Sequence, residues 1–172
     1  MFSTYTMSIF TEDSPGVLHR ITSMFTRRKI NIDSLTVSAT EKAGISRFTI
    51  VVRTTPVLIK TIAKQINRVI EVVEVYVSEN GELVYKEIAF IRVATDSPQK
   101  RMEVEELAHR YGGVVAYASD SSLLVEKTGS EEEINSLYLL LEPFNIKEFA
   151  RSGRIAMRKA QKSDTSLFSE NL

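Results

Sequence analysis

Apolar and polar residues alternate in short runs along the chain, and stretches with helical spacing separate these runs. Tyr5, Met7 and Ile9 alternate with small polar residues, which predicts a strand with an apolar and a polar face. From Val17 to Phe25 the apolar residues recur three or four positions apart, as in an amphipathic helix. Two more strands, a helix from Pro56 and a valine-rich strand follow. The first half of the chain therefore has the predicted element order βαββαβ.

The same order recurs after a polar connector. Ile88–Val93 is a predicted strand, a helix follows Pro98, a hairpin comes next, and a helix after Ser130 leads to a last strand at Ile146–Ala150. We predict an α+β protein of two ferredoxin-like βαββαβ domains. Their expected bounds are residues 1–78 and 87–158, with a linker at 79–86 and a polar, mobile tail at 159–172.

Both halves place a Ser-Pro pair before the first helix. Serine is a preferred N-cap residue, and proline fits the first helical position because that N–H has no helical acceptor. Ser14 with Pro15, and Ser97 with Pro98, therefore predict two helices that begin in the same way.

Composition narrows the function classes. Lys plus Arg and Asp plus Glu both number 22, so no net positive charge favours nucleic acid or an anionic membrane. The apolar runs are strand-sized, and the N-terminus has no signal-peptide pattern. We expect a cytoplasmic protein without nucleic-acid or membrane partners. An RNA-recognition domain shares the βαββαβ order, but the third predicted strand offers only Phe48 for base stacking.

Catalytic and metal-binding patterns are not found in the sequence. It contains no cysteine, no glycine-rich phosphate loop and no G-x-S-x-G nucleophile motif. His19 and His109 fall on different predicted helices, and Glu131–Glu133 fit the first turn of a helix, where acidic residues are favoured by the helix dipole. We expect no catalytic residue, no metal site and no cofactor in this chain.

One segment suggests ligand binding. In residues 11–18 a strand runs into a helix start, where free backbone N–H groups attract a carboxylate. Gly16 leaves room for a small ligand, and the Asp13 carboxylate suits an ammonium group. This pattern favours a free amino acid, although Ser14, Pro15 and Gly16 also fit a simple helix cap.

Four segments resemble one known family, the small subunits of acetolactate synthase (acetohydroxyacid synthase), whose first domain is an amino-acid-binding ACT domain. The resemblance covers residues from about 5 to 159, and the four motifs occur in the family's order. They are Asp13–Leu18, Arg27–Val37, Lys86–Val93 and Lys147–Met157.

The resemblance implies a regulatory subunit that activates a separate catalytic subunit and confers feedback inhibition by a branched-chain amino acid, usually valine. The catalytic partner would carry thiamine diphosphate, magnesium and FAD. The effector would lie in a homodimer, between the loop before the first helix of one ACT domain and the start of the second strand of the other. The effector-binding residues implied here are Asp13, Gly16, Val17, Leu18, Asn31 and Ile32.

The resemblance also gives these residues roles. Asn31 would hydrogen-bond the polar end of the ligand. Leu18, Ile32 and Leu35 would line its side-chain pocket, although all three also fit the plain core, Leu35 best of them. Family members commonly have Asn where this chain has Asp13, whose carboxylate would attract the ammonium group of a ligand and repel its carboxylate.

The sequence is also compatible in part with two other classes of function. A free-standing amino-acid sensor could act on another enzyme, but it would have no need for the two motifs in the second half. An enzyme of ferredoxin-like fold would require a cluster of reactive side chains, which the sequence does not offer.

Overall fold

The computed structural model describes residues 2–159, which form two compact units. The first unit runs through Val84 and takes up the chain again from Arg154, whereas the second unit is Tyr85–Gly153. By contacts, residues 154–158 thus group with the first unit, although the sequence analysis assigned them to the second domain. The predicted mobile tail, apart from Lys159, lies outside the described residues.

The first unit has the order βαββαβ. Its elements are β1 (Ser3–Glu12), α1 (Val17–Thr26), β2 (Ile32–Ala39), β3 (Ile45–Thr54), α2 (Pro56–Ile66) and β4 (Val72–Glu79). The four strands are antiparallel to their neighbours in the order β2-β3-β1-β4. Alternate residues of β1 and β3, among them Met7 and Ile50, pack against Ile21, Phe25 and Ile62 of the two helices. The helices therefore cover one face of the sheet.

The second unit repeats this topology. Its elements are β5 (Leu83–Ala94), α3 (Pro98–Arg110), β6 (Gly113–Ala118), β7 (Ser122–Gly129), α4 (Glu131–Leu141) and β8 (Ile146–Arg151). The strand order is β6-β7-β5-β8, and a separate core forms around Ile91, Val125 and Leu137. The predicted α+β fold with two ferredoxin-like units is confirmed. β5 begins inside the predicted linker, and its first residue, Leu83, is buried.

The first helices of the two units begin differently, which corrects the prediction for Ser14. The N-cap of α1 is Gly16, and no side chain caps this helix, so Ser14 and Pro15 lie outside it. Gly16 has a φ of 87°, a left-handed conformation that favours glycine. Ser97, in contrast, caps α3 through a hydrogen bond from Lys100 N to its hydroxyl, with Pro98 at the first helical position as predicted.

A last strand, β9 (Ile155–Arg158), was not expected from the sequence. Together with its flanking residues it contacts the face of the first sheet that the helices leave open. Arg47 of β3 donates hydrogen bonds to the Ala156 carbonyl and to Ser8 Oγ, and Arg158 stacks 4.1 Å above the Tyr76 ring. Burial lowers the pKa of the Arg47 guanidinium, an effect that the nearby Glu41 carboxylate opposes.

Residues 2–159 contain neither a membrane-spanning helix nor a metal-binding cluster. None of the helices there is both long and apolar enough to cross a membrane. In the same residues, no group of three or more His, Cys, Asp or Glu side chains is arranged to hold a metal ion.

Candidate effector site

The predicted ligand-binding loop is an ordered turn between β1 and α1. Asp13 N donates to Gly44 O at 2.9 Å, and Ser14 N donates to Glu12 O at 3.0 Å. The chain then reverses through Pro15 and the left-handed Gly16. These backbone bonds hold the loop in place without using the Asp13 side chain, which is exposed to solvent.

This turn leaves backbone donors open at the helix start. Val17 N makes only a long bond of 3.4 Å to Ser14 O, and Arg20 N donates to Gly16 O at 3.0 Å. The N–H groups of Leu18 and His19 have no hydrogen-bond partner among residues 2–159. Because no serine or aspartate side chain occupies the position of a cap, an anionic group from outside could accept these bonds.

The side chains of the loop divide between core and solvent. Val17 is 1% exposed and belongs to the core, so only its backbone can face a ligand. Leu18, whose own N–H is one of the open donors, is 44% exposed. A ligand at this helix start would therefore meet backbone N–H groups, the exposed Asp13 carboxylate and the exposed Leu18 side chain.

The second predicted part of the site lies at the start of β2. Asn31 is exposed, and its Nδ2 donates a long hydrogen bond of 3.4 Å to Asp33 Oδ1. Ile32 and Leu35 are half-buried and pack against the core of the first unit.

A feature that the sequence analysis missed precedes Asn31. Lys29 has a φ of 54°, a left-handed conformation in which glycine is usual after a helix. The backbone closes this turn with a bond from Ile30 N to Phe25 O at 3.1 Å. The segment leading into Asn31 is thus held in an unfavourable but fixed conformation. The sequence did not indicate this left-handed conformation, because a basic residue is common at the end of a helix.

The two parts of the predicted site do not meet within one chain. In the sheet register Glu12, at the end of β1, is level with Ile45 of β3, whereas Ile32 is level with Val52. Seven residues of extended strand separate these two levels, which corresponds to about 23 Å at the usual rise per residue. Gly16 and Asn31 therefore lie towards opposite ends of the sheet, and a single site containing both requires a second copy of the chain.

Two family models match the chain. Residues 7–74 match a model described as an AHAS small subunit-like ACT domain, and residues 86–160 match one described as the small subunit of acetolactate synthase. The second match begins near the start of the second compact unit and extends beyond Gly153, so it includes the residues of β9.

Full-length relatives give the same result. The chain is 38% identical over 156 residues to an acetolactate synthase small subunit of Mycolicibacterium smegmatis, covering 91% of each protein. It is 36% identical to a probable acetolactate synthase small subunit of Methanothermobacter thermautotrophicus, covering 93% of this chain and 95% of the relative.

A solved structure is similar over the same length. The crystal structure of the acetolactate synthase small subunit from Thermotoga maritima superposes with a TM-score of 0.84 and 29% sequence identity. The match covers 92% of this chain and 99% of that one. The likeness therefore extends over both units and is not confined to the ACT domain.

Proposed function

The chain belongs to the family of acetolactate synthase small subunits, and on this basis we propose that it activates a catalytic subunit and makes that subunit sensitive to a branched-chain amino acid. Membership of the family implies the regulatory role and a catalytic partner. Valine is the first candidate for the effector. The protein would work in the cytoplasm, in the biosynthesis of valine, leucine and isoleucine.

The observation that carries this proposal is the uncapped start of α1. Its Leu18 and His19 N–H groups have no partner among the described residues, and the preceding Gly16 keeps the approach free of a side chain. An α-carboxylate fits these donors, and the exposed Asp13 carboxylate provides a counter-charge for the α-ammonium group. An apolar side chain of the ligand would contact the exposed part of Leu18.

The register of the sheet supports a homodimer. β2 is an edge strand with its only strand partner, among the described residues, in β3, and its second half exposes Val37, Ser38 and Ala39. If two β2 strands pair in antiparallel fashion about a twofold axis, the start of one lies beside the end of the other. That end is level with Glu12, so Asn31 of one copy would approach the Gly16 turn of its partner.

The catalytic reaction would take place on the partner subunit. There thiamine diphosphate, magnesium and FAD would support the condensation of pyruvate with a second 2-oxo acid, while this chain would contribute contacts and no reacting group. An effector at the dimer interface can act only by binding one arrangement of the two ACT domains better than another. Couplings of this kind usually amount to about 1–3 kcal/mol, which is enough for feedback control.

The test is reconstitution of the full chain with its catalytic subunit, with acetolactate formation measured against valine concentration. The unaltered chain should raise activity, and valine should then lower it. Asn31→Ala should remove the inhibition while the complex still forms on a sizing column. Asn67→Ala is the matched control, because Asn67 is also exposed but lies at the end of α2.

Each part of the proposal can fail separately. Failure of the chain to bind or activate the catalytic subunit would contradict the regulatory role in this complex and favour a sensor that acts elsewhere. Inhibition that survives Asn31→Ala unaltered would show that the site has been placed wrongly.

A further inference from the structure

The Lys147–Met157 motif, which the sequence analysis could only match to the family, ends in a segment that lies on the open face of the first sheet. We call residues 154–159 the strap. Besides the Arg47 and Tyr76 contacts, Lys159 N donates to Glu82 O, and Lys159 Nζ donates to Gly81 O, both at 2.9 Å. These bonds fix the strap at the end that is remote from β2.

Arg154 holds the other end of the strap and is 3% exposed. Its Nη1 donates to Thr6 Oγ1 at 3.1 Å and to Asn80 Oδ1 at 2.9 Å. Its main chain bonds to β2, because Arg154 N donates to Ser34 Oγ at 3.4 Å and Thr36 Oγ1 donates to Arg154 O at 3.0 Å. One residue thus connects β1, the turn after β4 and β2.

These bonds reach β2 next to an irregularity in its pairing with β3. β2 is an edge strand, and its pairing with β3 shifts register between Ile32 and Ser34. Ser34 and Thr36 are the first residues of β2 beyond this irregularity whose side chains point to the open face. The hydrogen bonds of the strap therefore act on β2 at Ser34 and Thr36, three and five residues after Asn31.

The identity of the residue also needs a physical reason. Burying a guanidinium costs free energy even when it is hydrogen-bonded, and an apolar residue of similar size is often as good for stability alone. A buried arginine has an advantage over an apolar residue where its several rigidly arranged N–H donors hold neighbouring segments in a fixed position. The acceptors found here are Thr6 on the central strand β1 and Asn80 in the turn after β4, so the side chain is anchored away from β2.

We infer that Arg154 is a positioning residue: through the strap it fixes the start of β2 and thereby the Asn31 part of the effector site. This inference deepens the proposed function and rests on it for the effector. Arg154 itself lies on the sheet face opposite the core and reaches the ligand only through β2.

The experiment compares Arg154→Met with Arg158→Met in the full chain. Arg158 lies on the same strap but stacks on Tyr76 of β4, so its substitution leaves the β2 bonds intact. Two quantities are measured, the amide hydrogen exchange of residues 32–36 and the dissociation constant for valine by calorimetry. Arg154→Met should speed exchange in this segment selectively and weaken valine binding about tenfold, within the usual range of coupling between sites. Arg158→Met should do neither.

Thr36→Val provides a second variant in case Arg154→Met folds poorly. It keeps the size and branching of the side chain and removes only the donor to Arg154 O. Its control is Ser38→Ala, since Ser38 lies further along the same strand and face. Thr36→Val should weaken valine binding severalfold and speed exchange in residues 32–36, whereas Ser38→Ala should leave both unchanged.

The possible outcomes separate this inference from the proposed function. If exchange rises equally in β1, β2 and β3 of Arg154→Met, or if Thr36→Val behaves like the unaltered chain, the inference is wrong. If the unaltered chain does not bind valine, the proposed effector is wrong, and the exchange of residues 32–36 alone then decides whether Arg154 positions β2.

Discussion

The two βαββαβ units have the same topology, but different kinds of residue stand at the start and after the end of their first helices. In the second unit Ser97 caps the start of α3, and Gly112, with a φ of 70°, follows its end. In the first unit Gly16 stands at the start of α1 without a side-chain cap, and Lys29 takes the left-handed position after its end. The second unit thus follows the rules for a stable helix, whereas the first departs from them at both ends.

The open faces of the two sheets differ as well. In the first unit this face carries Thr6, Ser34 and Thr36, which bond to the strap. In the second unit it exposes Phe90 and Tyr117 beside the ion pair of Arg92 with Glu148, which measures 3.1 Å. Departures from local rules that the rest of the structure maintains are typical of functional sites. This comparison supports the proposal that the ligand binds to the first unit.

The largest expected effect tests whether ligand binding belongs to one unit. Ile62→Ala and Leu137→Ala each remove a fully buried side chain, from the first and the second core respectively. Each should lower the free energy of unfolding of its own unit by about 2–5 kcal/mol. Denaturant unfolding and a valine titration would be measured on both variants. Only Ile62→Ala should weaken valine binding, and an equal loss in Leu137→Ala would contradict the assignment to the first unit.

Gly16→Ala should have the next largest effect. A Cβ there meets nothing within 4 Å, so the cost comes from the left-handed backbone and should be about 1–2 kcal/mol of unfolding free energy. The same substitution should weaken amino-acid binding, because the methyl group stands at the approach to the free N–H groups. Gly81→Ala is the control, since Gly81 has equally open surroundings without a positive φ. Thermal unfolding and calorimetry would show whether only Gly16 matters.

Removing the serine hydroxyl before each first helix examines the two helix starts directly. Ser97→Ala should destabilise the protein by about 1 kcal/mol because it removes the acceptor for Lys100 N. Ser14→Ala should change stability by less than about 0.5 kcal/mol, because no side chain caps α1. Urea unfolding of both variants provides the measurement. Equal losses would mean that Ser14 acts as a cap after all.

The smallest expected effect concerns the end of α1. Lys29→Gly should raise the free energy of unfolding by up to about 1 kcal/mol, because glycine removes the left-handed strain but loses more backbone entropy on folding. At the corresponding place in the second unit, Gly112→Ala should be destabilising. Thermal unfolding should show a higher melting temperature for Lys29→Gly and a lower one for Gly112→Ala. A loss of stability in Lys29→Gly would contradict the presence of strain at Lys29.

The sequence predicted most elements because their signals are local. Alternation in β1 and helical spacing in α1 reflect which side faces the core, and both were confirmed. The start of α1 was predicted wrongly, because the Ser-Pro pair is also compatible with a helix cap. Only the backbone conformation shows that the chain turns at Gly16 and that the helix begins after it. β9 was missed because it is short and because its contacts are distant in sequence, as in the bond between Arg47 and the Ala156 carbonyl, 109 positions apart.

The candidate site was predictable only in part. The residue types and their order indicated the Gly16 turn and Asn31, but no sequence pattern reports that they lie towards opposite ends of the sheet. The bonds from the strap to Ser34 and Thr36 were equally hidden, because polar residues on a half-buried strand usually face solvent.

The most direct test of the account is a calorimetric titration of the full chain with valine, leucine, isoleucine and, as an unrelated amino acid, lysine. We expect saturable binding of at least one branched-chain amino acid and no binding of lysine. The bound form should also be more stable, by about 2.7 kcal/mol at a ligand concentration one hundred times the dissociation constant. If none of the three branched-chain amino acids binds, the uncapped start of α1 is not an effector site, and the central claim is wrong.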